Sequence, residues 1–249
     1  MIQVISAGGR SGGSYAISAP IMGVDFTWSG GDNTCMVLDD GDGNWRIKFL
    51  SSGTFTPLKN MLIDVFLVGG GGGASTTSGN GGGGGGGGYT KTVKSVVALA
   101  NTAYAIAVGA NGIESSDQAG TSSAFGASAA GGFGGLHSTN PRHGGSGGSA
   151  GHYMYTNTEL AGGTDGGNGS TNAASLAAGI GQGTTTREFG EASGTLYANG
   201  GPMSTMTDNS HSFTAPQPNT GDGGGAWYSN GFPGASGIVI IRKHKEEAA

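Results

Sequence analysis

The chain has 249 residues, 56 of them glycine, with only 11% charged residues and a formal net charge of −5. Charge this sparse does not fit the signature of intrinsic disorder, and the Lys/Arg-poor balance lacks the basic patch that nucleic acid requires. The single cysteine, Cys35, excludes an intrachain disulfide and a thiolate metal site. It reads as a small buried hydrophobe.

Along the chain, "MIQVISAGGRSGG" carries no basic segment leading into an apolar run, so no signal peptide is expected. No stretch approaches the roughly 18 apolar residues of a membrane-spanning helix. Residues 1–44 mix short apolar pieces with Gly, Ser and Asp turns and read as an N-terminal attachment or packing region. Residues 45–249 read as one glycine-rich domain. Trp45, Ile47 and Phe49 alternate with Arg46 and Lys48, the period of a half-buried strand. "MLIDVFLV" (61–68) has the length and composition of a second strand. "YTKTVKSVVAL" and "TAYAIAVGANG" add a pair within 89–109, and "GIVIIRKHK" closes the chain with a buried strand over 237–244. The basic cluster 242–245 reads as a solubilising tail. No convincing amphipathic helix occurs; "TNAASLAAGIG" is the best candidate.

Between these strands glycine comes in blocks: 69–73, 81–88, 131–135, 144–151, 162–169, 179–183, 200–201 and 221–225. Strict every-third-residue glycine is missing, which excludes collagen. No G-K-[ST] follows a block, and no helix follows 69–73, so neither a P-loop nor a dinucleotide fold is expected. One flexible linker does not explain many blocks separated by aromatic connectors. The polyproline-II-type helix formed by glycine does. It has three residues per turn, a rise of about 3.1 Å and no internal hydrogen bonds. Copies without Cβ atoms can approach closely enough to bond N–H to C=O between helices, as a buried backbone demands. The expected fold is all-β: a small sandwich or sheet with a polyglycine-II bundle and long connecting loops.

"WRIKFLSSGTFTP", "IDVFLVGGGGGAS", the octaglycine into "YTKT", "AYAIAVGANG", "SSAFGASAAGGFGG" and "GGAWYSNGFPGASGIVIIR" occur here in that order. From Trp45 to Arg242 this resembles the glycine-rich domain of tail-fibre and receptor-binding proteins from bacteriophages and prophages of gut bacteria. More distantly, the layout is similar to the distal adhesins of T-even-like phages, in which a polyglycine-II bundle carries loops that grip a host receptor. Residues 1–44 do not match the attachment domain of those adhesins. The resemblance implies a non-enzymatic virion protein, built in the host cytoplasm and carried outside on the particle. Its implied partners are a bacterial surface receptor (protein or glycan), other fibre or capsid proteins, and possible homo-oligomer contacts. No cofactor, nucleic acid or membrane insertion is implied. The alternative is a purely structural virion protein, such as a capsid decoration fibre or filament subunit.

Side chains excluded from a glycine bundle must sit at its ends, so receptor contact falls to the connectors. The richest pair holds His137, Arg142, His143, His152, Tyr153, Met154 and Tyr155; Tyr and Arg are enriched at binding hot spots. Met203, Met206, His211 and Phe213 form a second candidate loop; capping of the bundle is the competing role for both. The histidine spacing does not fit a metal site. "DDGDGNW" (39–45) lacks the glycine and glutamate of a calcium loop and reads as a turn. Arg187, Glu188 and Glu191 form the one dense ionic cluster outside the tail. They read as a surface ion pair rather than a hydrolytic carboxylate pair. No Ser/His/Asp arrangement stands out.

Overall fold

The computed structural model describes residues 5–6, 19–75, 84–113, 118–135, 184–202, 214–227 and 230–246. Its strands are β1 (Ile5–Ser6), β2 (Phe26–Trp28), β3 (Cys35–Gly41), β4 (Asn44–Phe49), β5 (Gly53–Pro57), β6 (Met61–Val68) and β7 (Thr90–Ala98). They continue with β8 (Tyr104–Ile106), β9 (Ser122–Ala124), β10 (Ala127–Ala129), β11 (Ala226–Trp227), β12 (Asn230–Gly231) and β13 (Ile238–Lys243). Two single-turn 3₁₀ segments, Thr184–Thr186 and Glu188–Gly190, are the only helical elements among the described residues. The protein is all-β, as its composition predicts. The helix candidate "TNAASLAAGIG" lies outside the described residues.

Six strands form the main sheet in the order β1-β3-β4-β13-β6-β7, and β2-β5-β8 form a second sheet. The pairing of β3 with β4, and of β2 with β5, brings residues from before position 45 into both sheets. The β3–β4 hairpin turns at Asp42 and Gly43, both with positive φ, the Asp-Gly two-residue turn that matches strand twist. "DDGDGNW" is therefore a turn between strands.

One face of the main sheet packs Trp45, Ile47, Phe49, Ile63, Val65, Leu67, Val239 and Ile241 against Phe26 and Phe55 of the second sheet. The other face packs Phe66, Val68, Ile238 and Ile240 under Phe189 and Tyr197. β6 and β13 are thus covered on both sides. That explains their unbroken apolar runs, whereas β4, with one face partly polar, alternates. Arg242 and Lys243 belong to β13, and Arg242 is 5% exposed. The terminal basic cluster is therefore built into the sheet and is not a solubilising tail.

Beyond the C-terminal end of β6 the chain runs as Gly69–Ala74, surrounded by other glycine-rich segments. Its donors go in turn to Tyr89, Gly120, Ala235 and Gly86, and from Ala74 to Phe232. Gly69 and Gly72 thus both donate to the 84–89 segment, and Gly71 and Ala74 both donate to the 232–237 segment. Its acceptors repeat in the same way: Gly70 and Gly73 receive from Gly132 and Gly135, Gly71 from Gly112, and Gly72 from Gly224. The returning segment follows the same rule. Gly85 and Gly88 donate to Gly224 and Gly221, while Gly86 and Tyr89 donate to Phe133 and Ala130. A three-residue step recurs in every case.

At its tightest glycines the packing allows no side chain. A Cβ built on Gly85 would lie 2.5 Å from the carbonyl carbon of Gly72 and overlap its oxygen. One on Gly72 would overlap the carbonyl of Phe133, and one on Gly201 that of Gly224. Backbone packs directly on backbone, and every bond above is satisfied by a neighbouring segment rather than by water.

Candidate functional site

The glycine array has a sheet-side end and a far end. Gly69, leaving β6, bonds to Tyr89, and Gly237, entering β13, bonds to Gly109. At the far end Ala74 bonds to Phe232, Gly135 to Gly73, and Ala226 to Pro202. The segments that carry Gly73, Gly112, Gly135, Gly201 and Gly224 all run outward from the sheets. The candidate receptor residues fall in 136–183 and 203–213. His137, Arg142, His143, His152, Tyr153, Met154, Tyr155, Met203, Met206, His211 and Phe213 lie outside the described residues. Their flanks are fixed: Gly135 by the bond to Gly73, Pro202 by the bond from Ala226, and Thr185 by a bond from Thr90 Oγ1 of 2.6 Å.

Within the described residues, polar chemistry concentrates on the second face of the main sheet. Register places Arg46 of β4 directly opposite Arg242 of β13. Like charges in that position repel, and the 184–197 segment resolves the conflict from above. Glu188, 3% exposed, accepts from Arg46 Nη1 at 2.6 Å, from Lys48 Nζ at 3.4 Å and from the Tyr197 hydroxyl at 3.2 Å. Asp40 takes the rest of the Arg46 fork at 2.7–2.8 Å. Glu191 holds Arg242 and Lys245. The Arg242 guanidinium also lies over the Phe189 ring, 4.1 Å from its centroid, a cation–π contact. Phe189 takes φ +58° to reach that position.

Asp40, Arg46, Glu188, Phe189, Glu191 and Arg242 line a cleft of about 350 Å³, together with Ser193, Gly194 and Thr195. Glu188 and Glu191 do share it, but neither pairs with Arg187, whose Nη1 donates to the Gly194 carbonyl. The expected pair fails because the sheet, absent from any local reading, supplies better cations. Burial alone would raise the Glu191 pKa, but the Arg242 bond and charge, helped by Lys245, hold it below the usual carboxylate value. The Tyr197 hydroxyl is pushed well up by burial and by the Glu188 charge beside it. A glycosidase acid needs a carboxyl kept protonated. The Arg242 and Lys245 cations hold Glu191 in the opposite state, and Glu188 is engaged by Arg46, Lys48 and Tyr197, so the cleft is built as an ionic clasp.

Asp64 of β6, fully buried, accepts from Arg242 Nε at 3.0 Å and faces His244 Nδ1 at 2.6 Å. Sequence reading missed this cluster, since nothing local marks a lone acid in an apolar run as the partner of residues 178 and 180 positions away. Among the described residues no group of three or more His, Cys, Asp or Glu could hold a metal ion. No helix there is long and apolar enough to cross a membrane.

A family model described as a glycine-rich domain matches residues 50–244, and the chain belongs to that family. A search of curated proteins finds no match.

Proposed function

We propose that this member of the glycine-rich domain family is a receptor-binding protein of a phage virion. A polyglycine-II bundle carries the recognition loops at its far end. The observation that carries the reading is the three-residue step of the hydrogen bonds. Residues 69 and 72, 71 and 74, 85 and 88, and 86 and 89 each reach the same neighbouring segment, which is the periodicity of a helix with three residues per turn. A bundle of this kind presents only backbone along its sides. Recognition chemistry then belongs to the connectors leaving its far end, where Arg142, Tyr153 and Tyr155 bring hot-spot residue types. The sheets at the other end serve as its base. The protein needs no catalytic group for this role, and it works outside the cell as part of the particle.

The test is a pull-down of purified protein on intact cells of candidate gut bacteria, beside a triple variant with Arg142, Tyr153 and Tyr155 changed to alanine. Cell binding lost in the variant, at an unchanged melting temperature, is the expected result. No binding to any host, together with self-assembly of the free protein, refutes it in favour of a structural subunit.

A further inference from the structure

At the sheet's opposite pole, β7 bulges beside Asp64. Ile63 pairs with Val96 and Val65 with Val93, so Lys94 and Ser95 together face one residue. Ser95 is exposed and takes φ +59° there, a left-handed conformation uncommon outside glycine, Asn and Asp. The bulge is held by the buried carboxylate, whose Oδ1 accepts from the Ser95 N–H at 3.1 Å. Burial alone would raise the Asp64 pKa; the bonds from His244, the Ser95 N–H and Arg242 outweigh it and keep the group ionised.

A carboxylate 2.6 Å from Nδ1 fixes the neutral His244 ring in its Nδ1–H form. The lone pair of Nε2 then faces outward, and Ser95 Oγ lies 3.3 Å from it. Carboxylate, imidazole and hydroxyl therefore stand in line, the arrangement in which a base oriented by a third group activates a nucleophile. The strained backbone at Ser95 is a second mark of a functional position. Next to it Leu62 and Val97 face each other across β6 and β7, 48% and 57% exposed. On its other side His244 borders a cleft of about 350 Å³ walled by Pro20, Trp45, Met61 and Leu62 and rimmed by charge from Lys59, Lys243 and Glu246.

We propose that Ser95 is a nucleophilic serine that accepts the acyl group of carboxylic esters, with His244 as its base and Asp64 as the positioning residue. Ser95 Oγ bonds to the ester carbonyl carbon as its proton passes to His244 Nε2, and the carbonyl electron pair moves onto oxygen. Collapse re-forms the carbonyl and breaks the bond to the leaving alcohol, which takes the proton from Nε2. Water, deprotonated by the same nitrogen, then releases the acid and restores Ser95. Leu62 and Val97 beside Ser95 offer apolar contact to a short alkyl acyl group. The Ser95 N–H is bonded to Asp64 and does not donate to the oxyanion. One such donor is worth about 10²–10³ in rate, so activated esters are the fitting probes.

The test treats the full chain with a fluorophosphonate probe and with p-nitrophenyl acetate, and locates the adduct by peptide mass spectrometry. The expected result is a single label on Ser95, lost in Ser95→Ala. His244→Gln should slow labelling by about 100-fold or more, in line with general-base catalysis. Both variants are melted in parallel, and Ser95→Ala, an exposed change, guards against a folding defect in the other. No label on folded protein, labels spread over other serines, or a Ser95 rate unchanged in His244→Gln each overturn the proposal. The connector variants used for cell binding leave this pole untouched, so either reading can fail alone.

Discussion

Gly85→Ala is the sharpest perturbation of the array. The new Cβ would lie 2.5 Å from the carbonyl carbon of Gly72, against about 3.4 Å for ordinary contact, and would overlap its oxygen, so one segment must move by at least about 0.9 Å. Gly85 donates to Gly224 and accepts from Gly201, each at 2.8 Å, and a shift of that size stretches both bonds beyond useful length. Overpacking costs about 1–3 kcal/mol, and two weakened bonds add roughly 1 kcal/mol each. The reduced freedom of the unfolded chain returns about 0.4–1 kcal/mol. The net loss is about 2–5 kcal/mol. Gly126→Ala is the control, because its φ is +77° and nothing lies within 4 Å of a new Cβ. It should cost only the left-handed strain of about 1–2 kcal/mol. Urea unfolding followed by circular dichroism gives both values, and the gap should appear as a melting difference of several degrees. If the two variants agree within about 0.5 kcal/mol, close backbone packing does not hold this region together.

Glu188→Gln leaves Arg46 and Arg242 facing each other beneath the clasp. A loss of about 2–3 kcal/mol is expected, against under about 1 kcal/mol for Glu191→Gln, whose side chain is 41% exposed; denaturant titration of both variants checks the ranking. Asp222 has its pKa raised by burial, which outweighs the bonds from Asn199 and Thr220. A raised folded-state pKa contributes stability below the unfolded value that is lost as pH rises through the folded one. Asp222→Asn should therefore stabilise at neutral pH and lose that advantage below about pH 4, as melting curves across pH will report.

Strands were legible where one face alone is buried. Trp45, Ile47 and Phe49 alternate because Arg46 and Lys48 turn to the ionic side, and this pattern can be read locally. The glycine blocks at 69–73, 84–88, 131–135, 200–201 and 221–225 were legible as packing elements because Cβ-free backbone has few other ways to satisfy itself in an interior; those at 144–151, 162–169 and 179–183 lie outside the described residues. The ionic clasp was not. Glu188 sits beside Arg187 in sequence, yet its partners are 142 and 140 residues away on β4. The cross-strand opposition of Arg46 and Arg242 that requires Glu188 arises only once β13 inserts between β4 and β6. The tail was misread for the same reason. "RKHK" looks solvated until Asp64 is found beneath it.

The two halves of the fold store their specificity differently. In the sheets, side chains decide: replacing Ile240 or Phe66, both fully buried, leaves a cavity. In the array the backbone decides, and at positions such as Gly72, Gly85 and Gly201 the message is that no Cβ may be present. Register there is fixed by which strand delivers the segment. β6 hands over at Gly69, and the 84–89 and 232–237 segments return into β7 and β13. β7 and β13 flank β6 in the main sheet, and the same two segments take the donors of Gly69, Gly71, Gly72 and Ala74, while Gly70 donates to Gly120. The pairing order of the sheet is thus carried over into the array.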